Sequence, residues 1–168
     1  MRVAICRMRR GDISGVQAIE RQVFPCPWSR ATFEREVESS DFHYLIVAKA
    51  GDRMVGYACF FHVLDEGHVT NIGVDPEFQS HGIGTQLMYA IVCYAAKKGI
   101  RRLMLEVRPT NAVAQRLYRK FGFFQTGVRR GYYTDTREDA YIFWTGDIRS
   151  DSYKQLFSRI GERIKQAA

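Results

Sequence analysis

At 168 residues, with 46% hydrophobic and 26% charged residues, the chain has the balance of one soluble globular domain able to bury a core without staples. Its longest apolar run, Leu87–Ala96, is too short to span a bilayer, and Met1–Arg10 lacks the apolar stretch of a signal peptide, so a cytoplasmic location is expected and a membrane partner is not. The net charge of +7 suits a polyanionic cofactor, an acidic partner or nucleic acid, and equally a basic solvated surface.

Val3–Met8 reads as a short strand. Asp12 is a candidate N-cap for a helix carrying Ile13, Val16, Ile19 and Val23 on one face. Phe24-Pro-Cys-Pro-Trp28 ends that helix, because prolines at 25 and 27 remove donors and clash with a continuing turn. Ser29 can cap a second short helix reaching Glu38. Phe42–Ala50, Met54–Leu64 and His68–Val74 are rich in β-branched and aromatic residues, and the turn formers Gly51-Asp-Arg and Asp65-Glu-Gly separate them, which predicts an antiparallel meander.

Beyond Val74 the rhythm becomes strand–helix–strand. Ile83, Leu87, Ile91 and Ala95 share one helical face, Lys97 and Lys98 suit the C-terminal dipole, and Gly99 suits the end. A helix between Val74 and a strand over Arg102–Val107 implies a parallel pair with a right-handed crossover. Asn111 caps a further helix that stops at Gly122, and Phe123–Arg130 and Asp139–Gly146 read as two last strands joined by a loop carrying Tyr132 and Tyr133. The sum is an α/β (α+β) fold: a mixed, mostly antiparallel sheet of about seven strands, one parallel β-α-β unit and flanking helices. Residues 1–149 are expected to form the domain, with 150–168 a C-terminal amphipathic helix whose stripe is Tyr153, Leu156, Phe157, Ile160 and Ile164.

Cys6, Cys26, Cys59 and Cys93 form no paired spacing and suit small buried residues in a reducing compartment. The four histidines lack metal-ligand spacing, so no metal is expected. Gln79-Ser80-His81-Gly82-Ile83-Gly84-Thr85 follows a strand and opens a helix, so its N–H groups can converge on an anion. It lacks the lysine of a P-loop and the third glycine of a dinucleotide fingerprint, and by itself is equally a tight structural turn. Strand alternation puts Leu103, Leu105 and Val107 on one face and Met104 and Glu106 on the other. Glu106 at a strand's C-terminal end suits a ligand site, or a rim carboxylate paired with Arg102 or Arg108. Tyr118 is either core filler or a phenol at the site.

Taken together, the Gln79-x-x-Gly82-x-Gly84 loop and the Asn111…Tyr118…Gly122-Phe123 ending make the chain resemble the GNAT superfamily of acetyl-CoA-dependent N-acetyltransferases. Phe24-Pro…Pro27-Trp-Ser, Val63-Leu-Asp-Glu, Asn71-Ile-Gly-Val-Asp-Pro, Leu105-Glu-Val-Arg, Arg129-Arg-Gly-Tyr-Tyr and Glu138-Asp-Ala narrow the resemblance to the RimI type, bacterial ribosomal-protein alanine N-acetyltransferases. The resemblance implies that Ile72, Gly73 and Val74 bind the pantetheine arm and acetyl group. Gln79, Ser80, His81, Gly82, Ile83, Gly84 and Thr85 would hold the pyrophosphate, with Asn111 hydrogen-bonding the coenzyme. Glu106 would be the general base and Tyr118 the general acid, with no metal.

Trp28, Tyr132 and Tyr133 are the candidate clamp for the acceptor, and Asp65, Glu66, Glu138 and Asp139 are acids that suit a basic peptide. The expected partners are acetyl-CoA and a peptide or protein N-terminus, a ribosomal protein first. Small amines, lysine side chains, and a non-catalytic acyl-CoA-binding or ribosome-binding module are the alternatives. Dispersed arginines argue against nucleic-acid binding, and a monomer or weak homodimer is expected. Pro25-Cys26 and the long tail depart from the family pattern and bear on peptide specificity.

Overall fold

The computed structural model describes residues 2–39 and 41–167. Strand β1 (Ala4–Arg7) leads to helices α1 (Ile13–Val23) and α2 (Arg30–Glu38), then strands β2 (His43–Ala50), β3 (Arg53–Val63) and β4 (Glu66–Val74). Helix α3 (Ile83–Lys97), strand β5 (Arg102–Val107), helix α4 (Ala112–Lys120), strands β6 (Phe124–Tyr133) and β7 (Glu138–Trp144) and helix α5 (Asp151–Ala167) follow. The strands form one seven-stranded sheet in the order β1-β2-β3-β4-β5-β7-β6, with β4 and β5 parallel. This is the mixed α/β architecture that the element pattern predicts.

Local chemistry accounts for most boundaries. Ser29 Oγ accepts from Thr32 N and caps α2, and Asn111 Oδ1 accepts from Ala114 N and caps α4. Gly99 (φ 73°) and Gly122 (φ 79°) take the left-handed conformation that ends α3 and α4. Asp12 behaves differently from the expected N-cap. It has helical backbone angles and makes no cap bond to α1; its carboxylate instead accepts from Arg9 N and from Lys49 Nζ at 2.7 Å. Tyr132 and Tyr133 also differ from expectation. They belong to β6 and not to a loop, because the β6–β7 pairing continues past a bulge to Tyr133↔Glu138. Cys59 is buried, whereas Cys6 and Cys26 lie exposed, contrary to the buried role that composition suggests.

The chain divides into two compact units, one holding residues up to Phe61 with Thr70–Val92, the other His62–Val69 with Cys93–Ala167. In the first, Met8, Ile13, Val16, Ile19, Phe33, Leu45, Val47, Tyr57 and Cys59 form a buried cluster. The apolar stripe of α1 thus packs against the inner faces of β2 and β3. Gly56 lets Ile83 and Leu87 of α3 lie directly over β3, since a Cβ there would come within 3.2 Å of both. In the second unit, Leu103, Leu105 and Val107 are buried on one face of β5, as alternation predicts, with Phe121, Phe123 and Phe143. Helix α5 belongs here: Tyr153 is buried, and its hydroxyl donates to Phe121 O at 2.9 Å. Among the described residues no helix is long and apolar enough to cross a membrane.

The tightest approach in the first unit is at Gly73, where an added Cβ would lie 2.4 Å from Tyr57 Cε1, and Tyr57 is fully buried. Gly73→Ala is therefore expected to destabilise the fold by about 1–3 kcal/mol, the range for overpacking, read as a lower midpoint in urea unfolding.

Candidate functional site

The chemistry-bearing residues of the second unit are brought together by strand register. Parallel pairing sets His68 opposite Met104, so His68, Met104 and Glu106 share a face. On the other side Glu106 pairs with Ile142 and Ile142 with Gly127, which puts Arg129, two residues on, on that same face. The result is a carboxylate held from two sides: His68 Nε2 stands 2.6 Å from Glu106 Oε2, and Arg129 Nη1 ion-pairs with Oε1 at 3.2 Å. The Glu106 side chain is only 6% exposed, so these two contacts replace most of its hydration. Neither Arg102 nor Arg108 pairs with it, because Arg102 bonds Glu66 while Arg108 bonds Asp135 and Glu138.

Burial acts to raise the pKa of Glu106, but the His68 hydrogen bond and the Arg129 charge outweigh it. The net effect holds the carboxyl below the usual range. Glu106 is thereby fixed as an anion with its two oxygens oriented.

Arg129 also stacks over the exposed ring of Tyr132, 5.3 Å away, and Tyr132 meets Tyr133 edge-on at 5.0 Å. Arg108 lies 3.8 Å over Tyr133 and bonds Asp135, Thr136 and Glu138, which ties the end of β5 to the β6–β7 turn. Burial pushes the Tyr133 phenol up to about 12 against the opposing Arg108 charge. Tyr118 is buried against Phe123 and Phe143, and burial, with Tyr133 nearby, raises its pKa strongly, so the phenol keeps its proton. Asn111, expected to contact coenzyme, spends its side-chain oxygen on the α4 cap. The four acids expected to meet a basic peptide all pair with the chain's own arginines: Asp65 with Arg101, Glu66 with Arg102, Glu138 with Arg108 and Asp139 with Arg130.

In the first unit, Asp75 ends β4. Its carboxylate caps Glu77 N and pairs with Arg53, whose guanidinium stacks on Phe78 and also bonds Glu77. That braced turn delivers the chain to Gln79–Thr85. Within it Ser80 (φ 65°) and Gly82 (φ 78°) both take the left-handed conformation ahead of the first turn of α3. Gln79 Nε2 donates to Val74 O, and His81 Nδ1 donates to Gln79 O, so both side chains shape the loop. A Cβ at Gly82 would meet nothing within 4 Å. An open loop at the start of a 15-residue helix fits a coenzyme's phosphates. The backbone of Ile72–Val74 lies just upstream on β4.

Two residues escape the sequence patterns. His68 is one, since its place beside Glu106 needs the β4–β5 register. Glu20 is the other: buried on α1, it accepts from Trp28 N at 3.0 Å and Asn71 Nδ2 at 3.3 Å. It anchors the Phe24–Trp28 loop, and burial raises its pKa against those two bonds. Its signal was a carboxylate one turn from Val16, inside an apolar stripe. Trp28 itself packs on Phe33 at 5.4 Å between ring centres.

A seven-stranded mixed sheet with a phosphate-suited loop at a helix start and a buried carboxylate on the parallel strand defines the class of coenzyme-dependent acyl-transfer folds. The model of the acetyltransferase (GNAT) family matches residues 13–123, and the chain belongs to that family. It is 35% identical to the [ribosomal protein bS18]-alanine N-acetyltransferase of Escherichia coli, covering 82% of this chain and 93% of that protein. It is 38% identical to N-alpha-acetyltransferase RimI of Mycobacterium tuberculosis over 83% of this chain and 89% of the relative. The crystal structure of the ribosomal-protein-S18-alanine N-acetyltransferase from Escherichia coli superposes with a TM-score of 0.79 at 33% identity, covering 87% and 94% of the two chains.

The lowered pKa of Glu106 makes a stability prediction. A carboxyl whose folded value lies below its unfolded value of about 4.3 stabilises the fold above that pH, and the contribution is lost as pH falls through the folded value. The stability difference between the protein and Glu106→Gln, read by urea unfolding, is expected to be greatest above pH ~4.3 and to shrink below it.

Proposed function

We propose that the protein transfers an acetyl group from acetyl-CoA to the N-terminal α-amino group of a ribosomal protein beginning with alanine. The observation that carries this is the buried His68–Glu106–Arg129 cluster in a member of the acetyltransferase family, supported by the relatives named for that reaction. Acetyl-CoA would supply an activated thioester. Backbone N–H groups of Ser80–Thr85 would hold its pyrophosphate, and those of Ile72–Val74 its pantetheine arm and acetyl oxygen.

An α-amino group with a pKa near ~8 arrives mostly protonated and must lose a proton to attack. Glu106 alone is a poor acceptor, because the His68 hydrogen bond and the Arg129 charge depress its basicity. A neutral His68, donating Nε2–H to Glu106, would take the amine's proton on its other ring nitrogen, and Glu106 would stabilise the imidazolium so formed. As the amine nitrogen bonds the acyl carbon and the carbon–sulfur bond breaks, the nitrogen's second proton ends on the thiolate. Tyr118, kept protonated by burial, assists by donating a hydrogen bond to that sulfur. Tyr132 and Tyr133, fixed by Arg129 and Arg108, would contact the entering peptide from the second unit. Trp28 stands on the loop anchored through Glu20 in the first unit.

The test is mass spectrometry of a peptide library incubated with enzyme and acetyl-CoA. Acetylation concentrated on free N-terminal alanines is expected; acetylation only of lysine side chains or small amines, or binding of acetyl-CoA without turnover, would overturn the reading. His68→Gln, which keeps a hydrogen bond to Glu106 without accepting a proton, should lower kcat by ten- to a thousandfold with acetyl-CoA affinity unchanged. Full turnover in that variant removes His68 from the proton path.

A further inference from the structure

The positive charge of the chain is concentrated by the fold. Helix α4 carries Arg116, Arg119 and Lys120 and no acid, and α5 carries Lys154, Arg159, Arg163 and Lys165 against Asp151 and Glu162. These two helices therefore account for five of the chain's seven net positive charges. Lys120, Arg159 and Arg163 line one groove with Leu156 and Ile160. Arg116, one helical turn before Lys120, continues the row on α4, and Arg159 and Arg163 are themselves one turn apart, about 5–6 Å between Cβ atoms.

Elsewhere Arg53, Arg101, Arg102, Arg108, Arg129, Arg130 and Arg149 hold carboxylates. Among the described residues Arg116, Arg159 and Arg163 form no ion pair. Leaving these three arginines without carboxylates costs self-repulsion within the fold, and a polyanion relieves it. A second copy of this basic face would repel, and a lipid surface asks for exposed apolar anchors. Helix α5 has none, since Tyr153 and Ile160 are buried, and α4 offers only Val113 among the exposed large apolar side chains.

From these observations we infer that the α4–α5 groove binds the phosphate backbone of single-stranded RNA, independently of base sequence. Two arginines along one wall and lysine on the other match a chain of phosphates, which guanidinium groups recognise in a planar, two-pronged manner. The choice of RNA among phosphate polymers rests on the ribosomal-protein reading above; the binding surface does not. Helix α4 lies within the residues matched by the family model and helix α5 beyond them. The arginines that look dispersed along the sequence are gathered by two helices that meet at Gly122, where an added Cβ would lie 3.2 Å from the side chains of both Tyr153 and Leu156 of α5.

The experiment is fluorescence anisotropy of a labelled 20-nucleotide oligouridylate with the full chain from 50 to 300 mM salt. Binding that weakens with salt is expected, and Arg159→Glu with Arg163→Glu should weaken it at least tenfold. The milder pair Arg159→Gln and Arg163→Gln should lower the log–log salt slope by about 1.4, two contacts at about 0.7 each. Acetylation of a short alanine peptide should be unaltered in both, which separates loss of the surface from loss of the fold. Absence of oligouridylate binding at 50 mM salt, equal affinity in the double variants, or capture by phosphatidylglycerol vesicles in place of RNA would each overturn the inference. Failure of the unmodified protein to acetylate any peptide would instead strike the proposed function.

Discussion

The parallel pairing of β4 with β5 governs what the buried carboxylate can do. With His68 opposite Met104, the imidazole reaches Glu106 across one strand, and a slip of one residue would turn it to the opposite face. The antiparallel neighbours then carry Arg129 in from the other side. Glu106 is one residue from the end of its strand, largely removed from water, and tolerable there only because both oxygens are answered. A lone carboxylate at that depth would be pushed toward its neutral form.

That arrangement changes the division of labour at the site. His68 and Arg129 together hold Glu106 as an anion and a weak base. Arg129 adds a second consequence, since the same guanidinium that bonds Glu106 lies over Tyr132. Carboxylate and aromatic clamp are thereby positioned by one side chain. Arg108 plays the matching part at Tyr133, through a network of Asp135, Thr136 and Glu138. Acids that look free in the sequence are thus structural partners of arginines.

The basic helix pair is a separate element. Its apolar side is used to pack α5 in the second unit, through Tyr153 and Ile160, which leaves Arg159 and Arg163 exposed on the other side.

Periodicity and turn chemistry made the elements legible in the residues. Alternation in Arg102–Val107 separated the buried face from Glu106, Ser29 and Asn111 marked helix starts, and glycines at 99 and 122 marked ends, because these are local preferences of backbone and side chain. The loop from Gln79 to Thr85 and the family resemblance were likewise readable as contiguous motifs. What required the tertiary structure was every long-range partner: His68 and Arg129 at Glu106, Glu20 under Trp28, Asp12 turned to Lys49, and α4 beside α5. Strand register and helix packing decide which side chains become neighbours across 30 or more residues, and no local preference encodes that distance.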